Sequence, residues 1–97
     1  MELQVTDNPD ESRFEIRADG ELAGFAAYRL LGSQIAFTHT VTEDRFRGHG
    51  VGGHLVRAAL DAARERHLAV LAYCPFVQSW IAGHPDYADV VRSPEDR

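Results

Sequence analysis

From Thr38 to Val56 the chain reads THTVTEDRFRGHGVGGHLV, with four glycines in the six positions 48–53, and it passes from a strand-like stretch straight into a helix-like period. Glycine within a helix costs roughly 0.8–1 kcal/mol relative to alanine, so the cluster needs a reason. Upstream, Gln34 to Val41 has the length and residue types of a strand. Downstream, Val51, Leu55, Ala58, Ala59 and Ala62 recur at spacings of three and four, while His54, Arg57, Asp61, Arg64 and Glu65 take the other face. That pattern predicts an amphipathic helix from Gly50 to about His67. Leu68 to Tyr73, LAVLAY, is a continuous apolar run, as expected of a strand covered on both faces. Strand, helix and strand in this order form a β-α-β crossover, with the last strand parallel to Gln34–Val41.

The flanks read as antiparallel. Glu2 to Val5 is a short first strand and Thr6 to Ser12 a polar loop. Phe14-Glu15-Ile16-Arg17 alternates at period two, and Asp19-Gly20 is a hairpin-turn signal because both positions tolerate positive φ. The return strand runs from Glu21 to Leu30, and Leu31-Gly32-Ser33 turns the chain back into Gln34. Beyond LAVLAY, Pro75 suits the first position of a helix, which makes Cys74 its N-cap. Phe76, Val77, Trp80 and Ile81 would line the buried sides of that helix, and Gly83 and Pro85 end it. Residues 92–97 read as a polar, frayed tail. The expected fold is a single α+β domain over residues 1–97, mostly antiparallel sheet with one parallel β-α-β crossover and two helices.

Composition removes several function classes. A formal charge of −5 with scattered arginines argues against nucleic acid as the partner. No basic and apolar leader follows Met1, and no apolar run approaches the roughly 18 residues of a membrane span, so a cytoplasmic protein without a membrane partner is expected. One cysteine, Cys74, excludes an internal disulfide framework and suits a reducing compartment. The five histidines are not paired at metal-ligand spacing, so no metal is expected.

The helix opening at Gly50 lacks a Ser, Thr, Asp or Asn cap, which leaves its first backbone N–H groups available to an anion. Bare glycines let a phosphate approach closely, and the helix dipole favours its charge. A Walker A loop requires a lysine, and the chain has none. Gly48-x-Gly50-x-x-Gly53 matches the dinucleotide fingerprint in letters, but Glu43 to Arg47 separate it from the strand and no acid ends the next strand.

The remaining pattern is Arg47-x-x-Gly50-x-Gly52, and here the chain resembles the GCN5-related N-acetyltransferases, whose acetyl-coenzyme A loop has the form Gln/Arg-x-x-Gly-x-Gly/Ala. More narrowly, Thr38–Val56 together with CPFVQSWIAGHPDY at 74–87 is similar to the minimal single-domain branch of N-acetyltransferase domain-containing protein 1 type. The resemblance implies acetyl transfer from acetyl-coenzyme A to an amine, either a protein lysine or a small molecule, by a monomer or weak homodimer. It also implies that the backbone of Arg47, Gly48, His49, Gly50, Val51, Gly52 and Gly53 cradles the pyrophosphate. Groups near Val41 would pair with the pantetheine arm and polarise the thioester carbonyl, where the two parallel strands part.

Three side chains are candidates for the chemistry. Cys74 ends the second parallel strand and caps a helix, a place where a thiol can serve as proton donor or nucleophile. Glu43, just past the strand end, could deprotonate the amine directly or through water. His39 precedes Val41 by two, so both should share a face and His39 could line the acceptor cleft. Thr40 and Thr42 read as strand formers, His49 and His54 suit a phosphate contact or an outer helix face, His84 reads as part of a turn, and Tyr87 could hydrogen-bond or donate a proton near the site. Larger relatives insert a helix pair between their first strands, for which the Asp19-Gly20 hairpin leaves no room, so the acceptor side should be open. The alternatives are a coenzyme A binding module without turnover and a nucleotide-binding interaction domain.

Overall fold

The computed structural model describes residues 1–92. Five strands form one sheet in sequence order: β1 (Leu3–Asn8), β2 (Arg13–Ala18), β3 (Glu21–Leu31), β4 (Gln34–Thr42) and β5 (Ala69–Ala72). The first four pair antiparallel and β5 joins β4 in parallel, across the crossover helix α1 (Val51–Glu65). A short helix α2 (Pro75–Ala82) and 3-10 turns at Pro9–Glu11, Asp44–Phe46 and Pro85–Val90 complete the fold. The expected α+β meander with one parallel crossover is therefore what the chain forms. Among the described residues no helix is long and apolar enough to cross a membrane. No group of three or more His, Cys, Asp or Glu residues there is placed to hold a metal ion.

The β2–β3 hairpin follows from its turn. Asp19 and Gly20 sit at φ 49° and 86°, the left-handed pair that matches strand twist in a two-residue hairpin. The first strand runs three residues past its expected end: Thr6, Asp7 and Asn8 pair with Glu15, Phe14 and Arg13. Tertiary bonds override the weak strand propensity of Asp and Asn here. The Asn8 amide donates to Glu15 Oε2 at 3.1 Å, and Tyr28 Oη donates to Asp7 Oδ1 at 2.6 Å. Helix α1 stops with His67 at φ 57°, its N–H bonded to Arg64 O while Leu68 N–H reaches Ala63 O. That is the Schellman arrangement, with a histidine where glycine is usual.

Both helices lie on one face of the sheet. Phe14, Ile16, Tyr28, Ile35, Phe37 and Val70 from the strands meet Leu55, Val56, Ala59, Leu60 and Ala63 of α1 and Val77 of α2 in a single core. The last strand carries Val70 and Leu71 on opposite faces, both buried, which is why its sequence is apolar without alternation. Phe76 departs from expectation: it is 44% exposed, and only Val77 of α2 is fully buried. An eight-residue helix docked on a sheet edge cannot bury a wide stripe. Arg92, expected to begin the frayed tail, is instead held by its N–H on Val70 O at 2.7 Å, and the rest of that tail, 93–97, lies outside the described residues.

Tyr28 supplies a stability test. Burial, then the hydrogen bond to Asp7, pushes its phenol up to about 12 from 10.0. A raised folded value means that its contribution is complete below pH 10.0 and is lost as pH climbs toward 12. Since the chain has no lysine, few other groups titrate in that window. Tyr28→Phe keeps the ring against Phe14 and Phe37 but takes the donor from Asp7 Oδ1, leaving Asp7 with Arg66 Nη1 on Oδ2 at 3.3 Å. It should cost about 1–2 kcal/mol at neutral pH and flatten the fall in urea midpoint above pH 10.

Candidate active site

The sheet opens between β4 and β5. Their pairing runs from Gln34↔Ala69 to Phe37↔Ala72 and ends there. Phe37 O accepts both Tyr73 N–H and Cys74 N–H at 3.1 Å, and the chain then leaves β5 for α2. At the same level β4 carries a bulge: Tyr28 pairs with Phe37 and Ala27 with His39, so Thr38 is an extra residue. A bulge increases twist and bends the strand that carries it, and here it turns the upper half of β4 away from β5.

That upper half keeps its bonds to β3. Phe25 faces Val41, Gly24 faces Thr42, and Glu43 N–H donates to Ala23 O at 2.8 Å. In an antiparallel ladder, backbone groups alternate between the two neighbours. With Glu43 and Val41 turned to β3, the backbone groups of Thr40 and Thr42 face the open side. The free strand edge expected near Val41 is thus made by the two residues flanking it.

A cleft of about 450 Å³ lies over this edge, bounded by Thr40, Thr42, Phe46, Phe76 and the glycine loop. The loop has the geometry of an anion cradle. Gly48 and Gly50 stand at φ 83° and 73°, and Gly50 is the N-cap of α1 with no side-chain cap bond. The first helical bond recorded from this turn is His54 N–H to Gly50 O at 3.1 Å. The N–H groups of Val51, Gly52 and Gly53 lie within the first turn, where the helix offers no acceptor. Gly52 is glycine for contact as much as for approach. A Cβ there would stand 2.7 Å from Phe76 Cζ and 3.5 Å from Thr42 Oγ1. The Phe76 ring therefore reaches from α2 across to the loop. Sequence reading missed this because Phe76 sits in an apolar run with no signal to separate an exposed ring from a buried one.

The candidate residues divide between the two faces of the sheet. Among the loop positions, Val51 offers only its backbone, since its side chain is 1% exposed and packed in the core. Arg47 is solvent-exposed, with Nε 3.1 Å from Asp44 Oδ1, and His49 is exposed beside it. Gly53 lies against the Trp80 indole. Cys74 is the N-cap of α2, but its thiol makes no cap bond and is 3% exposed. The sulfur lies 3.4 Å from Thr40 Oγ1, on the helix side of the sheet.

His39 and Val41 share the opposite, uncovered face, both exposed, and the same alternation carries Glu43 to that side. His39 meets Phe25 edge-on, with ring centroids 5.8 Å apart. Thr38 Oγ1 donates to Ala27 O at 3.4 Å and stands 3.4 Å from His39 Nδ1. In the tautomer that carries its proton on Nδ1, the ring donates to this hydroxyl and keeps its lone pair on Nε2.

On this face Glu15 is 6% exposed although charged. Arg13 Nε at 2.8 Å, Asn8 Nδ2 at 3.1 Å and Arg17 Nη2 at 3.4 Å surround it. Those donors, Arg13 first, hold its carboxyl below the usual carboxylate range. His84 and Tyr87 serve elsewhere: His84 stacks on Trp80 at 3.8 Å, and Tyr87 Oη donates to Asp61 Oδ1 at 2.7 Å, fastening the last turn to α1.

Comparison with known proteins agrees with the fold. The family described as GCN5-related N-acetyl-transferase matches residues 13–90. Protein NATD1 of Gallus gallus is 29% identical over 85 residues, covering 86% of this chain and 77% of that protein. A GCN5-like protein of Staphylococcus aureus superposes with a TM-score of 0.72 at 28% identity, covering 94% of this chain and 89% of the other. Ard1 of Thermoplasma volcanium superposes at 0.55 with 27% identity, over 63% of this chain and 43% of its own.

Proposed function

Because the chain belongs to the GCN5-related N-acetyltransferase family, we propose that the cleft beside β4 binds acetyl-coenzyme A and that the acetyl group passes to an amine arriving at the uncovered face of the sheet. The observation that carries this reading is the parting of β4 from β5 at the Thr38 bulge, directly beside an uncapped helix N-terminus. Family members act on amine acceptors, and a strand edge next to a phosphate cradle suits a ligand that is an extended amide arm at one end and a pyrophosphate at the other.

In this reading the amides of Val51, Gly52 and Gly53 hold the pyrophosphate, while Thr40 and Thr42 offer backbone groups to the pantetheine. A free N–H on that edge polarises the thioester carbonyl. His39 stands at the bulge, nearer the opening than Glu43 by four residues, so His39 Nε2 accepts the proton of the incoming amine and Glu43 lies at the far rim. As the neutral amine so produced forms the C–N bond, the C–S bond breaks, the nitrogen's second proton passes to solvent, and sulfur leaves as a thiolate on the helix side. Cys74, too buried to act as a nucleophile on a solvent-borne acyl group, returns a proton to it through Thr40. Solvent then reprotonates Cys74 and takes the proton from His39.

Binding is the first test. Acetyl-coenzyme A or coenzyme A at a hundredfold excess over Kd should raise the thermal midpoint by about 10 °C or more, and NAD should not. No shift with either coenzyme overturns the reading. The uncovered acceptor face also fits a coenzyme A binding module without turnover, and a thiol-release assay over an amine panel separates the two.

A further inference from the structure

We infer that the acceptor is a small amine bearing a carboxylate, and that Arg13 holds that carboxylate. The inference rests on the transfer reading above. On the uncovered face, Asn8, Arg13, Ala27 and His39 lie in one row across β1 to β4. Arg13 and His39 are therefore two strand spacings apart, about 9.6 Å between backbones, and only the methyl group of Ala27 stands between them. The adjoining row brings Phe25 alongside as a wall. Arg13 Cζ lies 4.4 Å from the Phe25 ring centroid, and His39 meets the same ring edge-on at 5.8 Å. The result is a shallow trough floored by Ala27, with the proposed base at one end and a guanidinium at the other.

Arg13 is set as a recognition group. Its Nε is committed to Glu15 Oε2 at 2.8 Å, and the ring of Phe25 supports its plane. Among the described residues none takes its two Nη groups, the edge that binds carboxylates in forked pairs. Glu15 does not compete for a ligand, because it is 6% exposed and has donors from three residues. Charge points the same way. The chain carries −5 overall, yet β2 to β4 present Arg13, Arg17 and Arg29 on this face against the single carboxylate of Glu15, with Glu43 beyond the strand end. A diamine would place its second ammonium against Arg13.

The trough also sets a length. An α-amino acid holds its two groups too close together to reach both ends. An ω-amino acid of roughly four to six carbons suits two anchors that rise from strands two spacings apart and both contact the Phe25 ring. Its free amine attacks the thioester carbon, C–N replaces C–S, and coenzyme A leaves as the thiol while the carboxylate stays on Arg13.

The test compares kcat/KM for δ-aminovalerate, n-pentylamine, cadaverine and glycine with the wild-type chain, Arg13→Gln and Arg13→Lys. The wild type should prefer δ-aminovalerate over the other three by at least about tenfold. Arg13→Gln should lower kcat/KM for δ-aminovalerate about tenfold to a hundredfold, mainly through KM, and by far more than for n-pentylamine. Arg13→Lys keeps a cation for Glu15 and guards against misfolding. It should show a smaller loss of the same selectivity, with its thermal midpoint confirming the fold. Cadaverine or n-pentylamine matching δ-aminovalerate, or both variants slowing every amine equally, overturns the assignment while the transfer reading stands. No turnover of any amine together with no coenzyme-induced shift overturns both.

Discussion

His39→Ala is expected to lower kcat for amine acetylation by about 10²–10⁴, the range over which a positioned general base acts, while the midpoint shift given by acetyl-coenzyme A persists. The side chain is exposed, meeting the Phe25 ring edge-on and Thr38 Oγ1 at Nδ1, so its removal should barely alter the fold. Chemistry and binding should therefore separate. The loop that would hold the coenzyme lies at the N-terminus of α1, on the other side of the sheet from His39. The deficit should shrink as pH rises, since amines then lose their proton without help. Full turnover in His39→Ala, with the loss appearing in Glu43→Gln instead, moves the base to Glu43 and sinks the present assignment.

Gly50→Val should abolish coenzyme binding, with the acetyl-coenzyme A midpoint shift gone and Kd raised by about a hundredfold or more. Gly50 sits at φ 73°, where an L side chain costs roughly 1–2 kcal/mol and a β-branched one is a clear outlier. A Cβ added at that position meets nothing within 4 Å, so the penalty is one of backbone conformation and not of packing. The loop relieves the strain by leaving the left-handed region, which turns the first amides of α1 away from a common point. Asparagine tolerates that region, so Gly50→Asn should retain most of the binding. Equal binding by the valine variant would mean that the loop does not hold the phosphates.

Most of the architecture was legible because it is written in local periods. The Asp19-Gly20 turn, the alternation through Phe14–Arg17, the three-and-four spacing after Val51 and the apolar run at 68–73 each specify one element. Pro75 placed the start of α2 to the residue. Failures came where long-range bonds replaced local preference. Thr6 to Asn8 became strand because β2 and the Tyr28 hydroxyl supply partners at a distance.

The candidate site was legible to a different depth. The glycine loop stood out because positive φ and close approach leave a compositional trace at Gly48, Gly50 and Gly52. Cys74, Glu43 and His39 could be named from their places at element ends, but not sorted. Nothing in the letters shows that the Cys74 thiol turns to Thr40 on the helix side while His39 stands on the uncovered side. Likewise Arg13 and Glu15 read as ordinary strand charges, and Phe25 as an ordinary strand aromatic.

By itself, then, the sequence determined the elements of the crossover, of its neighbouring meander and of the uncapped loop, since each element is set by a local pattern of about 18 residues or fewer. Only the tertiary structure decided where the sheet opens and what faces the opening. The Thr38 bulge arises from register between β3 and β4, and the row Asn8, Arg13, Ala27 and His39 from pairing across four strands. Register is a relation between segments, fixed when their apolar faces find one core, and a one-residue change in it would exchange the faces on which Cys74's neighbour Thr40 and His39 stand.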